Sequence, residues 1–227
     1  MRNLLIPALF TLLASTAHAG RPFVTEDAGL LDRGACEWES TLAHTTERAA
    51  PAGNAWSNQV GCGVGGRTQM ALGTTHARSA GVGSNDLTLG GKVGLVDGGD
   101  AHASVALAGG STWVRAPGAA QRWDNAAATL VVSAPLHARW TGHANLGVLH
   151  LRDDRDTLGT WALALEHALK EQLAVGVETF GPGRGKPWIG AGVRWQAAPA
   201  VTLYASAARQ AGTARARTVT AGLKLAF

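Results

Sequence analysis

From Ala35 to the C-terminus, hydrophobic and polar positions alternate with a period of two, in stretches of about 10–14 residues separated by clusters of Gly, Pro, Asp and Asn. About twelve stretches are legible, at 35–48, 55–64, 68–78, 85–96, 101–114, 123–135, 140–152, 157–169, 172–181, 186–196, 200–210 and 214–227. Each reads as a strand, because a period of two puts successive side chains on opposite faces. In the fourth, Leu87, Leu89, Val93 and Leu95 share one face, and Asp86, Thr88 and Lys92 the other. The eighth sets Trp161, Leu163 and Leu165 against Thr160, Glu166 and Lys170, and the last sets Val219, Leu223, Leu225 and Phe227 against Thr218, Thr220 and Lys224. The Ala-rich stretch 123–135 leaves its facing open. WALALEHALKEQ (residues 161–172) is the best helical candidate, but it reads equally well as a strand.

The sense of this patterning decides the solvent. A soluble barrel buries its apolar face inside. Here the inner positions would carry Gly, Ala, Thr and a few charges, and the apolar face would meet lipid. The expectation is all-β: a single transmembrane antiparallel up-and-down β-barrel of about 12 strands over residues 35–227. An even count leaves both chain ends on the periplasmic side. The periplasmic turns then fall at Gly65–Arg67, Asp97–Asp100, Leu136–Arg139, Lys170–Glu171 and Ala197–Pro199. Trp56, Trp113, Trp123, Trp161 and Trp188 fall at external strand ends, and Trp38, Trp140 and Trp195 at periplasmic ends. Two tryptophan girdles are the mark of a membrane barrel.

The chain ends sharpen the address. Residues 1–19 have a basic start at Arg2, an apolar run from Leu4 to Leu13 and Ala17-His18-Ala19 before Gly20, the signature of a secretory signal. No later stretch approaches the ~20 continuous apolar residues of a spanning helix. The final eight residues, TAGLKLAF, resemble the C-terminal signal by which outer-membrane barrels engage their assembly machinery, with Gly222, Leu225 and Phe227 at its key positions. The expected location is the bacterial outer membrane. Composition agrees: charged residues are 16%, and the mean hydropathy of +0.03 is what alternating faces average to. The formal charge of +4 carries no basic cluster interleaved with aromatics, so nucleic acid is not an expected partner.

The mature N-terminus, RPFVTEDAG (Arg21 to Gly29), resembles the Arg-Pro-x-x-Thr-Asp-Asp-Ala opening of an outer-membrane transporter family assigned to the phenol-degradation meta-pathway, with an architecture related to long-chain fatty-acid transporters. Glu26 stands where that family usually has Asp. The resemblance implies an outer-membrane protein that handles small molecules, apolar or aromatic ones included. Residues 20–34 read either as a periplasmic lead-in or as a lumen plug. As a plug they offer Arg21, Glu26 and Asp27, the two acids meeting inward cations such as Lys92, Arg194 or Lys224.

Strand parity gives an inward charged set: Glu37, Glu39, Asp86, Lys92, His102, His143, Glu166, Glu178, Arg194 and Lys224. Both signs occur, so the lumen is not a single-sign filter; the set reads as a solute path or as a network of paired charges. Inward Gly90, Gly94, Ala106, Ala108, Ala162, Ala164, Gly190 and Gly192 leave room for a narrow path. Cys36 and Cys62 share a parity near the periplasmic end of the first hairpin, where a disulfide and two reduced wall residues are both open readings. His44, His76 and His150 lie near external ends, with no Ser and acid at a recognisable catalytic spacing. No metal-ligand spacing occurs, and no cofactor is expected. GCGVGG (61–66) and GPGRGKP (181–187) fit turns better than nucleotide loops. Arg115, Arg122, Arg152, Arg155, Arg184 and Arg215 gather at external ends, where outer-membrane lipids and lipopolysaccharide phosphates are expected partners. The expected function is passive or facilitated passage of small solutes; a closed envelope-anchoring barrel and a lipid-modifying enzyme are the alternatives.

Overall fold

The computed structural model describes residues 22–48, 50–212 and 216–227. The signal segment 1–19, Arg21 and Arg215 lie outside the described residues. Twelve strands follow one another: β1 (Cys36–Glu47), β2 (Ala50–Gly65), β3 (Thr68–Ser79), β4 (Val82–Val96), β5 (Ser104–Arg115), β6 (Arg122–His137), β7 (Trp140–Leu151), β8 (Asp156–Lys170), β9 (Leu173–Pro182), β10 (Trp188–Ala198), β11 (Val201–Gln210) and β12 (Arg217–Ala226). Each pairs antiparallel with the next, and β12 pairs with β1 to close the barrel. Closure leaves no open edge, which lipid requires because it offers backbone groups no partner. At the seam the Cys36 amide donates to the Phe227 carbonyl (2.8 Å), and the Phe227 amide to the Cys36 carbonyl (2.9 Å).

Gly66–Arg67 and Ala80–Gly81 turn the chain in two residues, with φ of 60° and 55° in the first and 51° and 81° in the second. Two left-handed residues in succession make the type I′ turn, whose twist matches that of the flanking strands. The connections on the side of the chain ends are mostly two residues long, at 66–67, 138–139, 171–172 and 199–200. Several on the opposite side are longer, at 116–121, 152–155 and 183–187. Short turns mark the periplasmic face, so both ends of the barrel chain lie there.

Outward positions are apolar and bare: Leu146 is 66% exposed, Leu42 61%, Val219 57% and Val177 55%. Their inward neighbours are buried, as with Thr41, Asn145 and Thr218. This is the reversed polarity expected from the sequence, and it places the chain in the outer membrane. The Ala-rich strand β6 takes the facing that puts Val131 inward, fully buried, and Leu130 outward.

Four sequence expectations need correction. Trp188 is not a girdle residue: it points inward, buried at 7% exposure, and stacks on Phe180 with centroids 6.0 Å apart. His102 lies exposed in the 97–103 connection, because β5 starts at Ser104, and so does not line the lumen. Lys170 is exposed at the end of β8, after a register shift between Ala168 and Lys170. The hairpin β1–β2 runs past Trp56 to Ala50, where polar outward residues such as His44 and Asn54 continue the ladder above the apolar belt.

Candidate functional site in the barrel lumen

Residues 22–34 run along the inner wall before the chain enters β1. The Val24 and Thr25 amides donate to the Glu178 carboxylate on β9, both at 2.9 Å, and the Thr25 hydroxyl adds a third bond of 2.9 Å. On β7, Asn145 meets the Glu26 backbone twice: its Oδ1 accepts from the Glu26 amide (2.6 Å), and its Nδ2 donates to the Glu26 carbonyl (2.9 Å). The Ala28 amide donates to Ser133 Oγ on β6 (2.8 Å), and the Leu31 amide to Gln69 Oε1 on β3 (2.9 Å). Arg33 bridges to Gly63 on β2, whose carbonyl accepts the Gly34 amide (2.8 Å). The segment thus crosses the wall from β9 to β2 by way of β7, β6 and β3. Side chains replace the ladder a strand would have given its backbone, as buried amides require.

Lys92 on β4 holds the middle. Its ammonium donates to the Asp27 and Gly29 carbonyls, both at 2.9 Å, and stands 3.2 Å from Glu26 Oε1 and 3.9 Å from Asp27 Oδ1. The residue is 1% exposed. A buried ammonium persists as a charge only where it is paired and fully hydrogen-bonded, and the segment supplies those partners.

The wall is shaped to receive the segment. A Cβ built on Gly192 would stand 2.6 Å from Pro22 Cγ, one on Gly176 2.5 Å from Phe23 Cζ, and one on Gly94 2.5 Å from Leu30 Cδ1. At Gly63 the obstruction would be the backbone carbonyls of Leu31 and Asp32. Ala28 packs among Ala106, Ala108 and Val131, and Val24 lies against the cluster that contains Phe180 and Trp188. Space expected at Gly94, Ala106, Ala108 and Gly192 is therefore filled by the chain itself.

The remaining inward charges form local pairs. Lys224 Nζ is 3.0 Å from Glu37 Oε2 across the seam, and Arg194 lies 2.5 Å from Glu166. Tyr204 donates to Glu39 Oε1 (2.6 Å), and its hydroxyl also meets Thr41 Oγ1. Its ring lies over Gly222, directly opposite on β12, where a Cβ would be 2.5 Å from Tyr204 Cζ. Gly222 thus has a packing role within the barrel. Asp86 sits apart on β4, opposite Thr75 and Val114. His143 Nδ1 lies 2.8 Å from Ser133 Oγ, a Ser–His pair created by cross-strand register and tied to the Ala28 amide. Cys36 and Cys62 are directly opposed across β1–β2 and are joined as a disulfide, with Cα atoms 4.1 Å apart.

Sequence reading missed Asn145, Ser133, Gln69 and Tyr204. Asn145 has the same parity as His143, so the signal was present, but a neutral side chain inside a barrel does not announce a backbone partner.

Against solved structures the barrel is similar to the KdgM porin in complex with disordered oligogalacturonate (TM-score 0.63, 9% identity, 83% of this chain and 99% of that one). It is also similar to the COG4313 outer membrane channel from Pseudomonas putida F1 (TM-score 0.62, 10% identity, 93% and 100%). Outer membrane phospholipase A from Escherichia coli matches with TM-score 0.52 and 10% identity over 84% and 92%. At such identities the likeness establishes the fold, which channels and an enzyme share. No curated protein matches the chain. Over residues 8–227 the sequence matches one family, and the chain belongs to it: the family described as Uncharacterised conserved protein UCP029691.

Proposed function

We propose that the chain is an outer-membrane channel for small molecules, its lumen narrowed by residues 22–34 acting as a fixed liner. One observation carries the reading: the segment is held by side chains of β9, β7, β6, β4 and β3 and seated on wall glycines. A segment that swung out would give up the Glu26–Lys92 ion pair, the two carbonyl bonds to Lys92, the amide bonds to Glu178, Asn145, Ser133 and Gln69, and its seats on the wall glycines all at once. The liner is therefore a permanent part of the pore, not a lid. The wall it leaves is β11, β12 and β1 with the periplasmic end of β10, which carries Arg194, Tyr204, Lys224, Glu37 and Glu39. Solute passes along this polar sector, guided by paired charges of both signs. The likeness to a porin and a channel supports the reading, and the RPFVTEDAG resemblance adds apolar or aromatic molecules to the solutes to be tried.

The test compares the purified full protein with a form lacking residues 22–32, in planar bilayers and in liposome swelling. Small, steady conductance from the full protein and a larger one from the shortened form are expected. If neither conducts nor passes solute, the channel reading is overturned and the closed, envelope-anchoring barrel takes its place; the packing of Val131, Ala106 and Ala108 around Ala28 favours that second reading. A lipid-modifying enzyme would need its nucleophile at the outer leaflet, whereas Ser133 and His143 face the lumen; unchanged lipid A mass spectra on overexpression are expected.

A further inference from the structure

The external end of the β10–β12 wall carries an arrangement that neither the lumen nor the fold explains. Arg209 on β11 and Arg217 on β12 are directly opposed in the ladder, and both are exposed on the outer face. Like charges directly across a sheet destabilise it. Among the described residues neither arginine has a carboxylate within 4 Å. Two other arginines on this rim are engaged within the chain. Arg122 binds Asp153 through two bonds of 2.6 and 2.8 Å, which hold that carboxyl below its usual range, and Arg152 donates to the Trp123 carbonyl.

Arg209 and Arg217 line a cleft of about 410 Å³, together with Ile189, Gln210, Ala211 and Gly212. The aliphatic stem of Lys186 runs past Gly212, 3.2 Å from where a Cβ would be, and adds a third cation to the rim. The rows beneath change character at once. Arg209 and Arg217 lie in register with Ile189 on β10. One outward step toward the periplasm comes Ala191–Ala207–Val219, and the next is Val193–Ala205–Ala221. All six of these residues are exposed, so the apolar belt begins directly under the cations as a shallow surface of small side chains. The cleft thus presents two bidentate phosphate-binding groups at the boundary between headgroup and acyl chain.

We propose that this cleft is a binding site for the phosphorylated glucosamine headgroup of lipopolysaccharide, with Arg209 and Arg217 sharing one lipid A phosphate and Lys186 closing over it. The acyl chains descend over Ala191, Ala207 and Val219. Charge selects an anion, and the apolar rows select an anion attached to lipid. A bridging phosphate also removes the repulsion within the ladder, so the site is worth more bound than empty. The proposal does not depend on whether the lumen conducts.

The experiment uses the full protein, purified in mild detergent and checked for folding by its heat-modifiable migration. Bisphosphorylated lipid A, lipid A stripped of phosphate, and inorganic phosphate are titrated, with native mass spectrometry and thermal stability as readouts. The wild type is expected to bind bisphosphorylated lipid A and gain stability, with the stripped lipid and inorganic phosphate giving neither. The double variant R209A/R217A should weaken that binding about tenfold or more, R209K/R217K should fall between, and R139A, in the 138–139 turn at the periplasmic end, should match the wild type. Equal binding by wild type and R209A/R217A would overturn the proposal. So would equal binding of the stripped lipid, a response to inorganic phosphate alone, or a dimer that R209A/R217A dissolves, which would assign the face to a second copy.

Discussion

Lys92 shows how much of this barrel rests on single inward side chains. Replacing it with Gln keeps a hydrogen-bond donor but leaves Glu26, 6% exposed, without the cation beside it. Removing one member of a buried ion pair costs about 3–5 kcal/mol. Lys92→Gln is therefore expected to free the segment from its seat: residues 22–34 should become open to protease in the folded barrel, and the unfolding midpoint should fall. Glu26→Gln removes the charge but keeps an acceptor, and its effect should be smaller. Gly176 offers a complementary test by shape. Gly176→Ala drives a methyl into the Phe23 ring and against the Leu165 carbonyl, 2.7 Å from where the Cβ would stand, and should destabilise by about 1–3 kcal/mol. In a Phe23→Ala background Gly176→Ala should cost less, because only the clash with the Leu165 carbonyl is left, a coupling that a double-mutant cycle measures. Seen this way, RPFVTEDAG is a series of docking residues: Pro22 sits on Gly192, Phe23 on Gly176, Thr25 on Glu178, Glu26 beside Lys92, and Ala28 in the alanine pocket. Strand parity exposed Lys92 and Glu178 in the sequence, because a charge on the Gly/Ala/Thr face stands out. It did not expose Asn145, Ser133 or Gln69, whose partners are backbone amides 119, 105 and 38 residues away in the chain.

At the scale of the element, the first hairpin and the closing strand form one unit at the periplasmic rim. Cys36 is bonded to Cys62 through sulfur and to Phe227 through two backbone bonds, so β2, β1 and β12 are locked at one point. The segment leaves the wall at the same place, where the Gly34 amide meets the Gly63 carbonyl. With a sequence separation of 26 residues, the crosslink contributes about 3.5 kcal/mol by loop-closure entropy. A Cys36→Ser, Cys62→Ser double variant is expected to close into the same barrel and to unfold in detergent at a lower temperature. Reductant should lower the wild-type midpoint by the same amount and leave the variant unchanged. The strands were legible because outward and inward positions obey one rule along most of their length. The rule failed where its cause ends. Above the apolar belt, outward residues become polar, so the β1–β2 hairpin outran its predicted boundary. Tryptophan also serves two purposes: seven fit the girdles, and Trp188, at the mouth, turns inward onto Phe180.

For the whole molecule, on the channel reading proposed above, the division of the wall sets how ions are selected. The liner covers β9 through β2 by way of β7, β6 and β4, while Lys224 and Glu37 face each other across the seam on the other side, with side chains 22% and 10% exposed. In a narrow lumen a fixed charge acts over a distance comparable to the Debye length, about 10 Å at 0.1 M salt, so each member of this pair biases the passing ions. Neutralising one leaves its partner uncompensated on the path. Lys224→Gln is expected to shift the zero-current potential in a KCl gradient toward cation preference, and Glu37→Gln to shift it the opposite way. The double variant should return near the wild-type value, because the pair is removed as a unit. Raising the salt tenfold should shrink all three differences. Arg122→Gln, on the external rim beyond the path, should change none of them. If Lys224→Gln and Glu37→Gln shift the potential in the same direction, or not at all in channels that still conduct, the ions travel elsewhere and the β12–β1 sector is not the pathway.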